Sequence, residues 1–355
     1  MLQTIEQMIF RNLTPLSIRH LPAPDIGRAV GLSAAVYRQL EQEFQTVPPI
    51  TLHHLNPPLM AGVWSACRES LIAGPQRALK EAVAVAVSES NRCPYCVEAH
   101  TSMLQGSADG EAIQSREARS EGGASVSGIV AWARATSDVS APLLAAPPFS
   151  SAEAPAIMGT AVLFHYINRM VNLFLDNTMM PIVGKIPLLR DQALRIFSSV
   201  VSGRITALDV APGTFLTDAP DMALPEEFRW AAPNPHVSGG LLRLASAAEK
   251  AATGSVDAGV RALVMEKVRN WNGGSPGLGK GWLDTAVSTL SEAMRPQARI
   301  ALLAALASWA VDDSEVAAFR SAGGDDRALL DTAAWGAYIA SNRIAGWFRL
   351  PSGAS

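Results

Sequence analysis

Glu81, Cys93, Cys96 and His100 are the residues of this chain whose types and spacing together could do chemistry. They share one segment, with Pro94 and Tyr95 between the cysteines. A Cys-x-x-Cys pair outside a disulfide framework is redox-active, metal-binding or accidental, and its setting bears on the choice. Ser90 or Asn91 can end one helix and cap the next. Pro94 suits a first helical turn, where its missing N–H leaves no hydrogen bond unmade. Both thiols then sit at a helix N-terminus, whose dipole stabilises a thiolate and lowers its pKa from about 8.5. His100 follows Cys96 and Cys93 at helical spacing and falls on the same face, as a base or proton carrier. If a helix over Arg77–Ser90 reverses through Asn91 and Arg92, Glu81 lies about 13 Å before the turn and His100 about 10 Å after it. The two are then nearly abreast, and a carboxylate facing the imidazole fixes its tautomer and helps it move protons.

Positioning these residues is a task for helices. Helical periodicity, broken at Gly, Pro and Asn, predicts elements over Ala29–Phe44, Arg77–Ser90, Cys96–Leu104, Ala154–Leu175, Leu188–Val201, Gly239–Ala251, Asp257–Trp271, Trp282–Ala293, Pro296–Ala310 and Asp325–Trp347. Gly106–Ser127 and Pro142–Ser150 read as loops, nothing reads as a hairpin or a βαβ unit, and the fold class is all-α. The halves resemble each other faintly. Asn56-Pro57-Pro58 with Gly62 matches Asn234-Pro235-His236 with Gly240, and Asn168-Arg169 matches Asn342-Arg343. This predicts a catalytic repeat over 1–180, a connecting segment over 181–225 and a diverged repeat over 226–355. Aligning Glu81 with Arg299 puts Val311, Ser314 and Ala318 where Cys93, Cys96 and His100 stand, so the second copy carries no thiol chemistry.

The chain has 355 residues, 48% of them hydrophobic and 17% charged, with a net charge of −3. That is enough to bury a large core, and it lacks the basic excess that marks a nucleic-acid or anionic-membrane partner. Three cysteines, with Cys67 the third, are too few for a secreted disulfide framework, so a reducing, cytoplasmic setting is expected. The N-terminus has no cationic stretch followed by an apolar core, and the run Ile300–Val311 is short of the about 20 residues that cross a bilayer.

The pattern Glu-x11-Cys-x2-Cys-x3-His resembles the signature of the AhpD-like alkylhydroperoxidases, within the carboxymuconolactone decarboxylase superfamily. Phe164–Val171 is similar to the helix that follows the motif in peroxidase-related members. The resemblance implies an AhpD-like helical fold and a peroxidase that needs no cofactor. In that reading Cys96 attacks a hydroperoxide and becomes a sulfenic acid, Cys93 resolves it as a disulfide, and Glu81 with His100 relays protons. It implies an external thiol or a thioredoxin- or lipoyl-type protein as electron donor, and leaves open whether the chain forms a homo-oligomer. Tyr95 departs from members that carry histidine there. Residue physics alone leaves the choice of attacking thiol open, since the cap favours Cys93 and proximity to His100 favours Cys96.

Other readings remain open. A lyase or isomerase of the decarboxylase branch would not need the thiols, and a redox sensor would form the disulfide without turnover. A zinc site would have three ligands from one helix and no fourth, and Val97 stands where a c-type haem site needs histidine. Cys67 reads as a core thiol and His165 and Tyr166 as core aromatic residues. His53 and His54 read as surface or cap residues, and Trp271, Trp282, Trp309, Trp335 and Trp347 as core. Gly274 to Gly281 nearly matches a phosphate loop, but Gly281 stands where Ser or Thr must hold Mg²⁺, so it reads as a linker.

Overall fold

The computed structural model describes residues 16–107, 109–115, 117–179, 206–277 and 279–351. The first half carries α1 (Gly31–Glu43), α2 (Pro57–Cys67), α3 (Arg77–Ser90), α4 (Pro94–Gly106), α5 (Val126–Ala135) and α6 (Ala154–Phe174). The second carries α7 (Pro235–Ser255), α8 (Ala258–Arg269), α9 (Gly281–Val287), α10 (Arg295–Leu306), α11 (Asp313–Ser321) and α12 (Asp326–Ala345). Among the described residues the only β pairing is two isolated bridges, Ile18 with Leu175 and Arg119 with Ser125, so the fold is all-α. No described helix is long and apolar enough to cross a membrane. The predicted helix over Leu188–Val201, and most of the connecting segment, lie outside the described residues.

The centre of the molecule is α6, buried almost throughout, which packs against α3 and α12. Its apolar residues run round most of the helix and even its polar stripe is covered by neighbours, so it has no solvent face and must sit inside. The halves meet a second time where α2 crosses α7. Each of these helices opens the same way. Asn56 accepts the N–H of Leu59 ahead of Pro57, and Asn234 accepts the N–H groups of His236 and Val237 ahead of Pro235. Such caps satisfy amides that have no partner inside the helix. The crossing is close because glycines face backbone: a Cβ on Gly62 would lie 2.8 Å from the carbonyl oxygen of Arg243, and one on Gly240 would lie 2.8 Å from that of Ser65. Asp331, fully buried, adds a polar tie by accepting from Asn56 Nδ2, Ser255 Oγ and Arg327 Nε, each at 2.7 Å.

Several elements differ from the sequence expectation. The helices α2, α5 and α11 were not predicted. In α2 the run Leu59–Cys67 is buried on all sides, which erases the 3.6-residue period that reveals a surface helix. The α11 helix announces itself only by its cap, where Asp312 accepts the N–H groups of Ser314 and Glu315. The helix expected over Trp282–Ala293 ends at Val287, and the one over Pro296–Ala310 ends at Leu306, before a separate 3₁₀ turn over Ser308–Ala310. His53 is not a surface residue. It is fully buried, its Nδ1 3.1 Å from the carbonyl oxygen of Ile50 and its Nε2 2.9 Å from the Tyr166 hydroxyl, and burial pushes its pKa down to about 3. Trp309, at 39% exposure, is not core.

Gly62→Ala is expected to destabilise the protein by about 1–3 kcal/mol, because the new methyl group meets a backbone carbonyl that cannot rotate away. Gly254→Ala, in α7 with open space around it, is expected to be neutral or to stabilise by up to about 1 kcal/mol. Urea unfolding of the two variants measures both. Equal midpoints would show that the α2–α7 crossing does not depend on the glycine.

Candidate active site

The two cysteines sit where α3 turns back into α4. Asn91 ends α3 and Arg92 makes the reversal with φ of 52°. That left-handed conformation is costly for any residue but glycine. The Arg92 guanidinium lies 4.8 Å from the ring centre of Trp309, in the second half. The expectation of a Ser90 or Asn91 cap is corrected, for Cys93 is itself the N-cap of α4. Its N–H donates to Ser88 O at 3.0 Å, and Pro94 follows in the first turn, as its missing N–H predicts. The Asn91 side chain is used elsewhere, below. Cys93 and Cys96 are both free thiols, each 1% exposed, so both lie at the helix start and neither is a surface thiol.

Glu81 and His100 meet across the hairpin, with His100 Nδ1 2.6 Å from Glu81 Oε2. Arg77, one turn earlier in α3, donates Nε to the other carboxylate oxygen at 2.7 Å. Glu81 has no exposure, and a buried carboxylate must be paired or take up a proton. Burial on its own would raise its pKa, but Arg77 and His100 together hold it below the ordinary value. With Glu81 Oε2 as acceptor, Nδ1 carries the proton and Nε2 is left to exchange protons. The ring stands edge-on to Phe164 at 4.6 Å, and 11% of the side chain remains exposed. No direct hydrogen bond joins His100 to either sulfur among the described residues. The side chains that act most directly on the Cys96 thiol are Cys93 and Asn168. Burial and then Cys93 push this thiol well up, the reverse of the lowering expected at a helix N-terminus, because desolvation outweighs it; Asn168 acts in the opposite direction.

Beside Glu81 lies Lys80, 2% exposed, with Nζ 2.7 Å from Ala73 O. Burial, then Arg77, push it down to about 7, against the pull of Glu81 and Glu69. Cys67 is a core thiol pushed up to about 12 by burial, in line with its reading from sequence. Tyr95 is buried as well, and burial raises its phenol.

Sequence reasoning missed Arg77, Asn91 and Asn168. On α6, His165, Asn168, Arg169 and Asn172 recur at i, i+3, i+4 and i+7, one polar stripe along a buried helix. That period was the signal. Asn168 bonds Ser88 and Asn91, and Asn172 donates to Asn91 O at 3.2 Å and to Ser308 Oγ at 3.1 Å. Arg169 donates to the carbonyls of His165 and Ala305. A cleft of about 440 Å³, lined by Arg92, Lys280, Trp282 and Trp309 among others, opens beside the turn. The lysine of the glycine-rich linker is engaged by Asp312 and Glu315, at 2.7 and 3.0 Å.

The family model for the carboxymuconolactone decarboxylase family matches residues 58–137, which contain all four motif residues. A protein of Mycobacterium tuberculosis named alkyl hydroperoxide reductase is 31% identical over 334 residues, covering 93% of this chain and 94% of that protein. This chain belongs to the carboxymuconolactone decarboxylase family. The pairing with that relative runs through both halves, so the AhpD-like chain and its C-terminal half are shared as one unit. No solved structure matches the chain significantly. Within this AhpD-like protein the arrangement brings two thiols into one helical turn, with a histidine and a carboxylate coupled beside them.

Glu81→Gln keeps the side-chain shape and removes the charge that Arg77 and His100 share. The folded pKa of Glu81 lies below its ordinary 4.5, so its charged form stabilises the fold above that pH, and the benefit fades as pH falls through the folded value. The variant is expected to be less stable than the parent by about 1–3 kcal/mol at pH 7, with the gap closing toward acid pH. Thermal unfolding from pH 3 to pH 8 measures this, and a gap that stays constant with pH would contradict the pairing.

Proposed function

We propose that this protein is a thiol-dependent peroxidase that reduces alkyl hydroperoxides through Cys93 and Cys96. The observation that carries the reading is the 2.6 Å contact between Glu81 and His100 on the hairpin that holds both thiols. The name of the similar mycobacterial protein, alkyl hydroperoxide reductase, points the same way.

The Cys96 thiolate attacks the terminal oxygen of the hydroperoxide, the O–O bond breaks, and the alkoxide leaves as the alcohol once it gains a proton. Cys96 is then a sulfenic acid. The Cys93 sulfur attacks it, the S–O bond breaks, hydroxide leaves as water on taking a proton, and the Cys93–Cys96 disulfide forms. Two thiol hydrogens are thus exchanged for one alcohol and one water. An external dithiol donor returns both electrons and both protons by disulfide exchange. His100, its Nδ1 proton held on Glu81, moves the proton from a thiol to a leaving oxygen through Nε2 and, since it makes no direct hydrogen bond to either sulfur, by way of bridging water. The low exposure of both sulfurs keeps the sulfenic acid away from water and bulk thiols until Cys93 reaches it.

We further infer that 226–355 is a diverged second repeat, with 1–180 the catalytic one. The matching caps at Asn56 and Asn234 and the reciprocal glycines at Gly62 and Gly240 support this. Where the first half couples Glu81 to His100 between α3 and α4, the second couples Arg299 to Glu315 between α10 and α11, at 2.7 and 2.8 Å. A fixed ion pair thus replaces a titratable one. Arg299→Ala is expected to cost about 1–3 kcal/mol of stability and leave peroxide turnover of the folded protein unchanged. Lost turnover in a folded variant would give the second half a catalytic role.

For the peroxidase itself, intact-mass measurement after one equivalent of alkyl hydroperoxide should show loss of two hydrogens. Cys96→Ser should abolish the reaction, and Cys93→Ser should consume one equivalent and stop. Disulfide formation with no turnover under any thiol donor would make the protein a redox sensor, and full activity without either thiol would place it in the decarboxylase branch.

A further inference from the structure

The cleft of about 440 Å³ beside the thiol turn plays no part in the steps above. It lies between the two halves. Arg92 lines it from the first, while Ala307, Trp309 and Ala310 at the 3₁₀ turn after α10, with Lys280 and Trp282 at the start of α9, line it from the second. Among the described residues its only charged side chains are cations, and no acidic side chain lines it. The two cations are not equivalent. Lys280 is neutralised by Asp312 and Glu315, at 2.7 and 3.0 Å. The Arg92 guanidinium has no hydrogen bond or ion pair among the described residues, and the nearest acid in sequence, Glu89, is held by Arg134 at 2.8 Å. What Arg92 does have is the face of Trp309, 4.8 Å from the ring centre. A guanidinium over an indole keeps the N–H groups at its edge free, and that edge is the fork that matches a carboxylate.

Two further features do nothing for folding alone. Arg92 is left-handed at φ of 52°, where glycine would stand with less strain, and such residues cluster where ligands bind. Trp309 is exposed and Trp282 only partly buried, which leaves indole surface open in the cleft. We propose that this cleft binds the organic part of the hydroperoxide and selects hydroperoxides that carry a carboxylate, the acid held by the Arg92 guanidinium and the apolar body by Trp282 and Trp309. A volume of this size, apolar in most of its lining with a few placed polar groups, suits a small organic molecule. Lys280, already paired with two carboxylates, is the weaker partner for a third. Arg92 precedes Cys93 in the chain, with about 3.8 Å between their Cα atoms, so a substrate anchored on it is held at the turn that carries both sulfurs. Holding it there offsets part of the entropy lost in bringing a peroxide to buried thiols.

The inference rests on the peroxidase reading, and binding without turnover separates the two. Tryptophan fluorescence of full-length Cys96→Ser, titrated with decanoate and with methyl decanoate, should saturate with the acid at a concentration at least about tenfold lower than with the ester, the effect of a hydrogen bond to a charged group. Adding Arg92→Gln should remove that difference, whereas Arg28→Gln, which removes a surface charge outside the cleft, should preserve it. In the protein with both thiols, the ratio of kcat/KM for linoleic acid hydroperoxide to that for its methyl ester should fall about tenfold on Arg92→Gln, chiefly through KM. If the parent consumes neither hydroperoxide, the peroxidase reading fails and the substrate role of the cleft with it. If the parent consumes them, equal binding of acid and ester, or an acid-to-ester ratio that survives Arg92→Gln, overturns the proposal and leaves the peroxidase reading standing.

Discussion

A carboxylate with no solvent exposure sets the geometry of this protein's active half. Glu81 can stay ionised only if donors replace the water it has lost, and both of its oxygens are met, by Arg77 and by His100. The first is an i, i+4 partner on its own helix, while the second must come from the next one. Holding that second bond requires α4 to fold back along α3, and it is this fold-back that puts Cys93 at the cap and Cys96 in the first turn. The ion pair and the thiol turn are therefore two ends of one hairpin.

The hairpin tip is held by α6, not by its own backbone. Asn91, Arg92 and Cys93 form a reversal with one left-handed residue, and such a turn persists only where its surroundings determine it. The α6 stripe of His165, Asn168, Arg169 and Asn172 does so from inside, and Trp309 and Ser308 do so from the second half. Breaking the hydrogen bonds of Asn91 or Asn168 leaves a polar atom buried without a partner, which costs more than the contact itself contributed. The C-terminal half, which has no cysteine, thus shapes the thiol site by packing α12 and the 3₁₀ turn Ser308–Ala310 against α6.

Much of this was legible from residue patterns. The limits of α3 were readable because its apolar positions repeat at helical spacing and it lies between Gly74-Pro75 and Asn91. Glu81 facing His100 was readable because helical rise and a short turn fix how far each lies from the reversal. By contrast α2 was invisible, since a segment buried all round shows no period, and His53 misled because its neighbours Pro57 and Pro58 suggest an exposed turn. Trp309 misled the other way: an indole on an apolar stretch usually packs inward, but here it offers its face to Arg92.

By itself the sequence determined which atoms are available and which share a helix face: two thiols at a helix start, a histidine one turn on, a carboxylate on the preceding helix. Spacing along a chain suffices for that, because helical geometry is local. Only the tertiary structure decided how the Cys96 sulfur is surrounded. Asn168, which bonds Ser88 and Asn91 on the hairpin that carries the thiols, lies on a helix far along the chain, and those bonds exist only because α6 packs against α3. A hydrogen-bond chain of this kind is a property of packing, where each atom's role follows from its neighbours in space and leaves no mark at any fixed spacing in sequence.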